Sequence, residues 1–211
     1  MNITQDNILI KRSSKAFIDN LLINNPNWKI LDIGCGYTAH KNATVICDVQ
    51  DLSNFYKDKY FIKLSGNVLP FKSNEFDFVI ASHVIEHVKD VKTFINELSR
   101  ISSKGYIELP TILEDNLVFE NKKDHIWQME FDDIDNKLNI SERIQYLEPV
   151  VTVSTSKMFS NIFRQSLVLE LYWEDKIDFN LINKNKNEYQ KISRLVLFRK
   201  FLSKYLRNIL R

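Results

Sequence analysis

A chain of 211 residues, 44% of them apolar, with 29 basic and 27 acidic side chains, has room for one full core and carries no large excess of either charge. Only Cys35 and Cys47 are present, outside any C-x-x-C pair, which excludes a disulfide framework and suits a reducing compartment. No run approaches the ~20 apolar residues of a membrane-spanning helix, and "MNITQDNILIKRSSK" does not read as a secretory leader, so a cytoplasmic protein is expected.

Ser13 or Ser14 can cap a helix with Phe17, Ile18, Leu21 and Leu22 at helical spacing, and Asn25-Pro26-Asn27 ends it. "WKILDIGCG" is an apolar run closing on glycines, as in a buried parallel strand feeding a tight turn. "ATVICD", "YFIKLS", "FDFVIAS" and "GYIELP" are further strand candidates. Asp90 can cap a helix with Val91, Phe94, Ile95, Leu98 and Ile101 on one stripe. Strands alternating with helices predict a parallel α/β sheet whose ligand lies beyond the carboxyl ends of the strands, at a topological switch point. Only "YTAHKNA" separates Gly36 from the second strand, against the ~10–12 residues of a usual crossover. The first crossover helix is therefore expected to shrink to about one turn.

Residues 111–150 are polar, acidic and weakly periodic, and predict a long functional loop. "SKMFSNIF" then looks helical, "SLVLELYW" looks like a strand, and "DFNLINKNKNEYQK" is a polar connection. Residues 184–211 hold nine Lys/Arg and one acid, which leaves 20 basic and 26 acidic residues in the body. The tail could begin as a strand or be a helix throughout. As a helix it suits either an anionic membrane interface or docking on the domain with a solvated basic face.

Two motifs carry chemistry. "LDIGCG" ends a strand in Asp32-x-Gly34-x-Gly36, where glycine lets the backbone approach a ligand. Asp48 stands at the end of the next strand, where nucleotide-binding α/β folds place an acid for the ribose hydroxyls. "HVIEH" reads His83-x-x-Glu86-His87, the letters of inverted zinc hydrolases, with two imidazoles stacked on one helical face. A hydrolase would need a third, distant ligand and no Gly-x-Gly strand end. No metal is therefore expected, and Glu86 is assigned to a helix's first turn.

Taken together, "ILDIGCG", "ICD", "LSGNVLPFKSNEFDFVIASHVIEHVKD" and "GYIELP" resemble the class I S-adenosylmethionine-dependent methyltransferases of type 11 over residues 28–110. The resemblance implies a Rossmann-like sheet, S-adenosyl-L-methionine as cofactor, and a single domain over 1–211. That domain would comprise a core at 28–110, an acceptor-binding insert at 111–150 and a basic tail at 184–211. It further implies that Asp32, Gly34 and Gly36 surround the methionine portion and that Asp48 takes the ribose. Ser65, Gly66 and Asn67 would meet the adenine, and Ser82 and His83 would face the sulfonium. The family's third glycine is Thr38 here, and its adenine-binding aspartate aligns with Ser65.

On the acceptor side, His87 and His125 are the candidate catalytic groups, and Trp127 could stack on a sugar ring. An "ELP…H.W" stretch and a basic tail resemble methyltransferases of bacterial surface-glycan pathways. The expected reaction is O-methylation of a sugar or glycan precursor, with the tail touching the inner face of an anionic membrane. The alternatives are a small metabolite or quinone-like lipid as acceptor, and a degenerate, methyltransferase-like binding protein. No nucleic-acid module is recognisable.

Overall fold

The computed structural model describes residues 9–66, 68–185 and 190–209. Asn67 and the ends of the basic segment, Leu210 and Arg211, lie outside them. Four short strands run parallel at the centre: β2 (Ile30–Ile33), β3 (Val45–Asp48), β4 (Tyr60–Lys63) and β5 (Phe78–Ser82). β6 (Lys104–Pro110) adds a fifth parallel strand. β9 (Val168–Glu174) pairs antiparallel with β6, and β1 (Ile10–Arg12) closes the edge antiparallel to β9. The spatial order is β1-β9-β6-β5-β2-β3-β4. Chain order reverses between β2 and β5, so the switch point lies where the glycine loop follows β2.

β2 and β3 are buried along their whole length, as strands covered on both faces must be. One face carries Ile30, Ile46, Phe78, Ile80, Tyr106 and Tyr172 against α1 (Lys15–Ile23). α1 starts where Ser14 Oγ accepts from Phe17 N (3.2 Å), and it buries Ile18 and Leu22, one turn apart. The other face packs Leu31, Ile33, Val79, Ala81 and Ile107 under α2 (Val91–Ile101). Asp90 caps α2 by accepting from Thr93 N (3.0 Å), and all five apolar positions of its sequence stripe are buried.

Three segments depart from expectation. The first crossover is shorter than one helical turn: residues 34–44 form turns only, and α1, which precedes β2 in the chain, covers that face of the sheet instead. Residues 111–150 are not a loop. They fold into α3 (Ile112–Leu117), α4 (Asn121–Asp124) and a hairpin of β7 (Trp127–Asp132) with β8 (Lys137–Glu142). Met129, Leu138 and Ile140 of that hairpin enter the main core, so burial supplies what weak periodicity did not advertise. β10 (Phe179–Leu181) joins β8 in a small second sheet, within the stretch read as a polar connection.

α5 (Val153–Leu167) precedes β9 as expected. The tail is helical, α6 (Arg194–Ile209), and none of its described residues is buried. No described helix is long and apolar enough to cross a membrane.

Candidate active site

β2, β5 and β6 end beside one another, and a cavity of about 740 Å³ opens at their carboxyl ends. It brings together Asp32, Gly34, Gly36, Ser82, His83, His87 and His125, seven of the eleven residues singled out in the sequence. Asp48, Ser65 and Gly66 do not line it, and Asn67 lies outside the described residues.

The loop after β2 is held by backbone conformation. Gly34 (φ +68°) and Gly36 (φ +48°) are both left-handed, which costs an L-residue ~1–2 kcal/mol. Their surroundings differ. A Cβ on Gly34 would sit 2.3 Å from Val84 Cγ2, whereas one on Gly36 would meet nothing within 4 Å. Gly34 is thus required by packing, and Gly36 leaves its space to the cavity. Asp48, though buried, accepts from Gly36 N (2.9 Å) and Gln50 N (2.8 Å), so its carboxylate pins the loop. Asp32 accepts from His40 N at 2.6 Å. Burial pushes the Asp32 carboxyl up to about 6, against that hydrogen bond and the charge of Lys59.

The "HVIEH" letters, whose Val84 packs against Gly34, do not form an α-helix. His83 is left-handed (φ +54°), a 3₁₀ turn spans Ile85–His87, and α2 begins only at Val91. The two histidines therefore lack the stacked i, i+4 geometry of a zinc-hydrolase helix. Glu86 stands in the first turn of that 3₁₀ helix. It is fully buried, and neither carboxylate oxygen has a hydrogen-bond partner. The nearest cation is His83, with Nδ1 3.3 Å from Glu86 Oε1. Desolvation opposes a charge on His83, but Glu86, with Glu108 and Glu114 beyond it, outweighs this and raises its pKa.

His87 Nδ1 donates to Asp124 O (2.9 Å), and His125 Nδ1 lies 2.6 Å from Asp115 Oδ1. The two rings meet edge to face with centroids 4.6 Å apart. Arg143 closes the set: its Nε is 2.6 Å from Asp115 Oδ2, and its Nη2 donates to Asp115 O (2.8 Å). Trp127 does not face the cavity. Its Nε1 donates to Val88 O (2.8 Å) and fastens the hairpin to the 3₁₀ turn.

A second buried network was not foreseen. Glu108, on the cavity wall, shares Arg164 with Glu170, and the Tyr106 hydroxyl lies 2.8 Å from Glu108 and 2.5 Å from Glu170. An acid inside the apolar run "GYIELP" was its only signal in the sequence.

Residues 31–107 match the family model of a methyltransferase domain, which covers β2 through β6 and the loops described above. Over those residues the chain is similar to methyltransferases, and that similarity supports an S-adenosylmethionine-dependent methyltransferase. The uncharacterized protein MJ0638 of Methanocaldococcus jannaschii is 30% identical over 190 residues, which is 79% of this chain and 77% of that one. Among solved structures, the YcgJ protein of Bacillus subtilis shares 18% identity over 44% of this chain (TM-score 0.37), and the match spans only half of YcgJ. A methyltransferase of Thermotoga maritima, described as a possible histamine N-methyltransferase, shares 15% identity over 72% of this chain and 83% of its own (TM-score 0.42). The methyltransferase-domain match supports S-adenosyl-L-methionine as the cofactor.

The glycine loop suits such a cofactor: Gly36 offers backbone with open space in front of it, and the buried Asp32 carboxylate stands on the wall.

Proposed function

We propose that the chain transfers the cofactor's methyl group to a hydroxyl of a sugar or glycan precursor. The observation that carries this reading is the pairing of His87 and His125 in the cavity that the glycine loop also lines. A backbone carbonyl and a buried carboxylate fix each ring with Nδ1–H pointing away, so that both Nε2 atoms keep their lone pairs. A hydroxyl, unlike an amine, must lose its proton as the new O–C bond forms, and a fixed basic nitrogen serves that need.

The cofactor supplies a methyl group on a sulfonium and a neutral thioether leaving group. The protein's work is positioning and proton handling. We assign Asp32, Gly34 and Gly36 to the cofactor's amino-acid portion, and Ser82 and His83 to the region near the sulfonium. Asp48 acts by holding the loop and offering a remaining lone pair to the ribose. Ser65, Gly66 and Asn67 are assigned to the base. Asp115, clamped by Arg143, orients His125 and stabilises the charge it would acquire.

The test is transfer of labelled methyl from S-adenosylmethionine to a panel of sugar nucleotides and lipid-linked glycans, beside phenols and quinols. Label in a base-stable ether on a sugar, abolished by His125→Asn, is expected. Transfer to phenols alone would move the acceptor to the lipid-like class. Cofactor binding with no transfer to any acceptor would favour a binding protein.

We further propose that α6 rests on an anionic membrane, where a lipid-linked acceptor would be found. It carries five cations, no acid, and exposed Leu195, Phe198, Phe201, Leu202, Leu206 and Ile209. Each cation near such a surface is worth about 1 kcal/mol. Salt-sensitive sedimentation with phosphatidylserine vesicles, lost when the chain is cut after Lys200, is expected. Binding that persists without the helix would refute it.

A further inference from the structure

We infer that Glu86, His87 and His125 form a binding site for one divalent transition-metal cation at the acceptor wall of the cavity. One carboxylate oxygen and one nitrogen from each ring lie within 4.8 Å of one another, the span of ligands around a single ion. Two further features point to a cation. Glu86 is wholly buried and neither carboxylate oxygen has a hydrogen-bond partner, with His83 3.3 Å away as its one close cation among the described residues, and a buried carboxylate so placed is costly unless a positive charge meets it. His87 and His125 each commit Nδ1 to an oxygen, the Asp124 carbonyl and the Asp115 carboxylate, which leaves Nε2 as the ligating atom. Such outer hydrogen bonds are how metal-ligating imidazoles are oriented.

Backbone bonds fix the spacing as well. Ile126 N donates to Glu86 O (2.8 Å), and Arg143 N donates to Ile126 O (2.9 Å), so the 3₁₀ turn and the segment bearing His125 move as one. His83 is the competing partner of Glu86, 3.3 Å away and half exposed.

Two imidazoles and one carboxylate suit zinc, manganese, iron(II) or cobalt(II) better than magnesium, and three protein ligands leave positions open to a substrate oxygen. This deepens the proposed reaction and rests on it for its role. With a cation bound, the two Nε2 atoms would serve as ligands in place of the basic role given them above, and the acceptor hydroxyl, held by the cation, would lose its proton to water more readily. Its oxygen then forms the bond to the methyl carbon as the carbon–sulfur bond breaks and the electron pair leaves with sulfur. The metal-free site expected from "HVIEH" rested on the want of a third, distant ligand beside His83 and His87 and on the Gly-x-Gly strand end. The 3₁₀ turn instead pairs His87 with Glu86 and with the distant His125.

The test uses the full chain after chelator dialysis. Zinc is titrated by calorimetry, cobalt(II) by visible absorption, and S-adenosylhomocysteine is titrated separately. One site per chain is expected, weakened at least a hundredfold in Glu86→Gln and His125→Asn, about tenfold to a hundredfold in Asp115→Asn, and unaffected by His83→Ala. S-adenosylhomocysteine affinity should stay unchanged in Glu86→Gln, His125→Asn and Asp115→Asn. Thermal unfolding of each variant, together with the exposed His87→Ala, separates lost ligation from lost fold. No saturable site, or one indifferent to Glu86 and His125, would overturn the inference while leaving the methyltransferase reading intact. Loss of S-adenosylhomocysteine binding in the wild type would sink that reading and leave the metal result standing.

Discussion

The two walls of the cavity are built in different ways. The wall after β2 is contiguous in sequence and made of backbone: left-handed Gly34 and Gly36, with Asp48 bonded to two main-chain amides. The histidine side is built from side chains of four separate elements. His87 from the 3₁₀ turn and His125 from the end of α4 line the cavity, and the buried Glu86 of the same turn, Asp115 of α3 and Arg143 from beyond β8 stand behind them. Backbone walls depend on conformation, residue by residue. Side-chain walls depend on charges that balance only when every element is in place.

The sharpest way to break this contrast is Arg143→Met. It leaves the buried Asp115 with only His125 as partner, and stripping one member from a buried ion pair costs ~3–5 kcal/mol. Urea unfolding should show that loss. A loss under ~1 kcal/mol would mean that the clamp is not structural.

Gly34→Ala should cost ~2–4 kcal/mol, from left-handed strain plus the contact with Val84. Gly36→Ala should cost only the strain, ~1–2 kcal/mol, yet weaken S-adenosylhomocysteine binding more than Gly34→Ala does per unit of stability lost. Equal stability losses would erase the distinction drawn between the two glycines.

Asp32 gives a pH signature. Its folded pKa, about 6, lies above the ordinary 3.8, so the folded protein holds that proton more tightly than the unfolded chain does. The associated stability is fully present below about pH 4 and is lost as pH rises through about 6. Asp32→Asn should therefore stabilise the ligand-free protein by ~1–3 kcal/mol at about pH 8 and hardly at all at about pH 4. It should also weaken cofactor binding at high pH. Stability measured across pH, with and without S-adenosylhomocysteine, checks both signs.

The glycine loop was legible because its signals are local. A strand-end Asp-x-Gly-x-Gly and an acid closing the next strand need no knowledge of what packs around them, and the caps Ser14 and Asp90 read as directly. The acceptor wall was only half legible. His87 and His125 could be singled out as residue types, but Asp115 and Arg143, 28 residues apart and on different elements, are joined only by folding. Glu86 misled because its burial is imposed by a 3₁₀ turn where the letters suggested a helix. The hairpin of β7 and β8 was missed because its apolar residues are spread among polar ones, and only docking on the core completes them. Conversely, the reduced first crossover was foreseen from chain length alone, and the absence of even one turn follows from α1 already occupying that face.

The smallest expected effect concerns α6. Cutting the chain after Lys200 should change stability by less than ~0.5 kcal/mol, because no described residue of that helix is buried. A larger loss would place α6 against the domain.

The most direct measurement of a divided site is calorimetric titration of S-adenosylhomocysteine into the wild type, Gly36→Val and His125→Asn, under identical conditions. Gly36→Val fills the open space before the loop, whereas His125→Asn alters only the far wall. The expected result is one site in the wild type, none detectable in Gly36→Val, and wild-type affinity in His125→Asn. Binding that survives Gly36→Val, or that disappears with His125→Asn, would contradict the assignment of the cofactor to the glycine wall and the acceptor to the histidine wall.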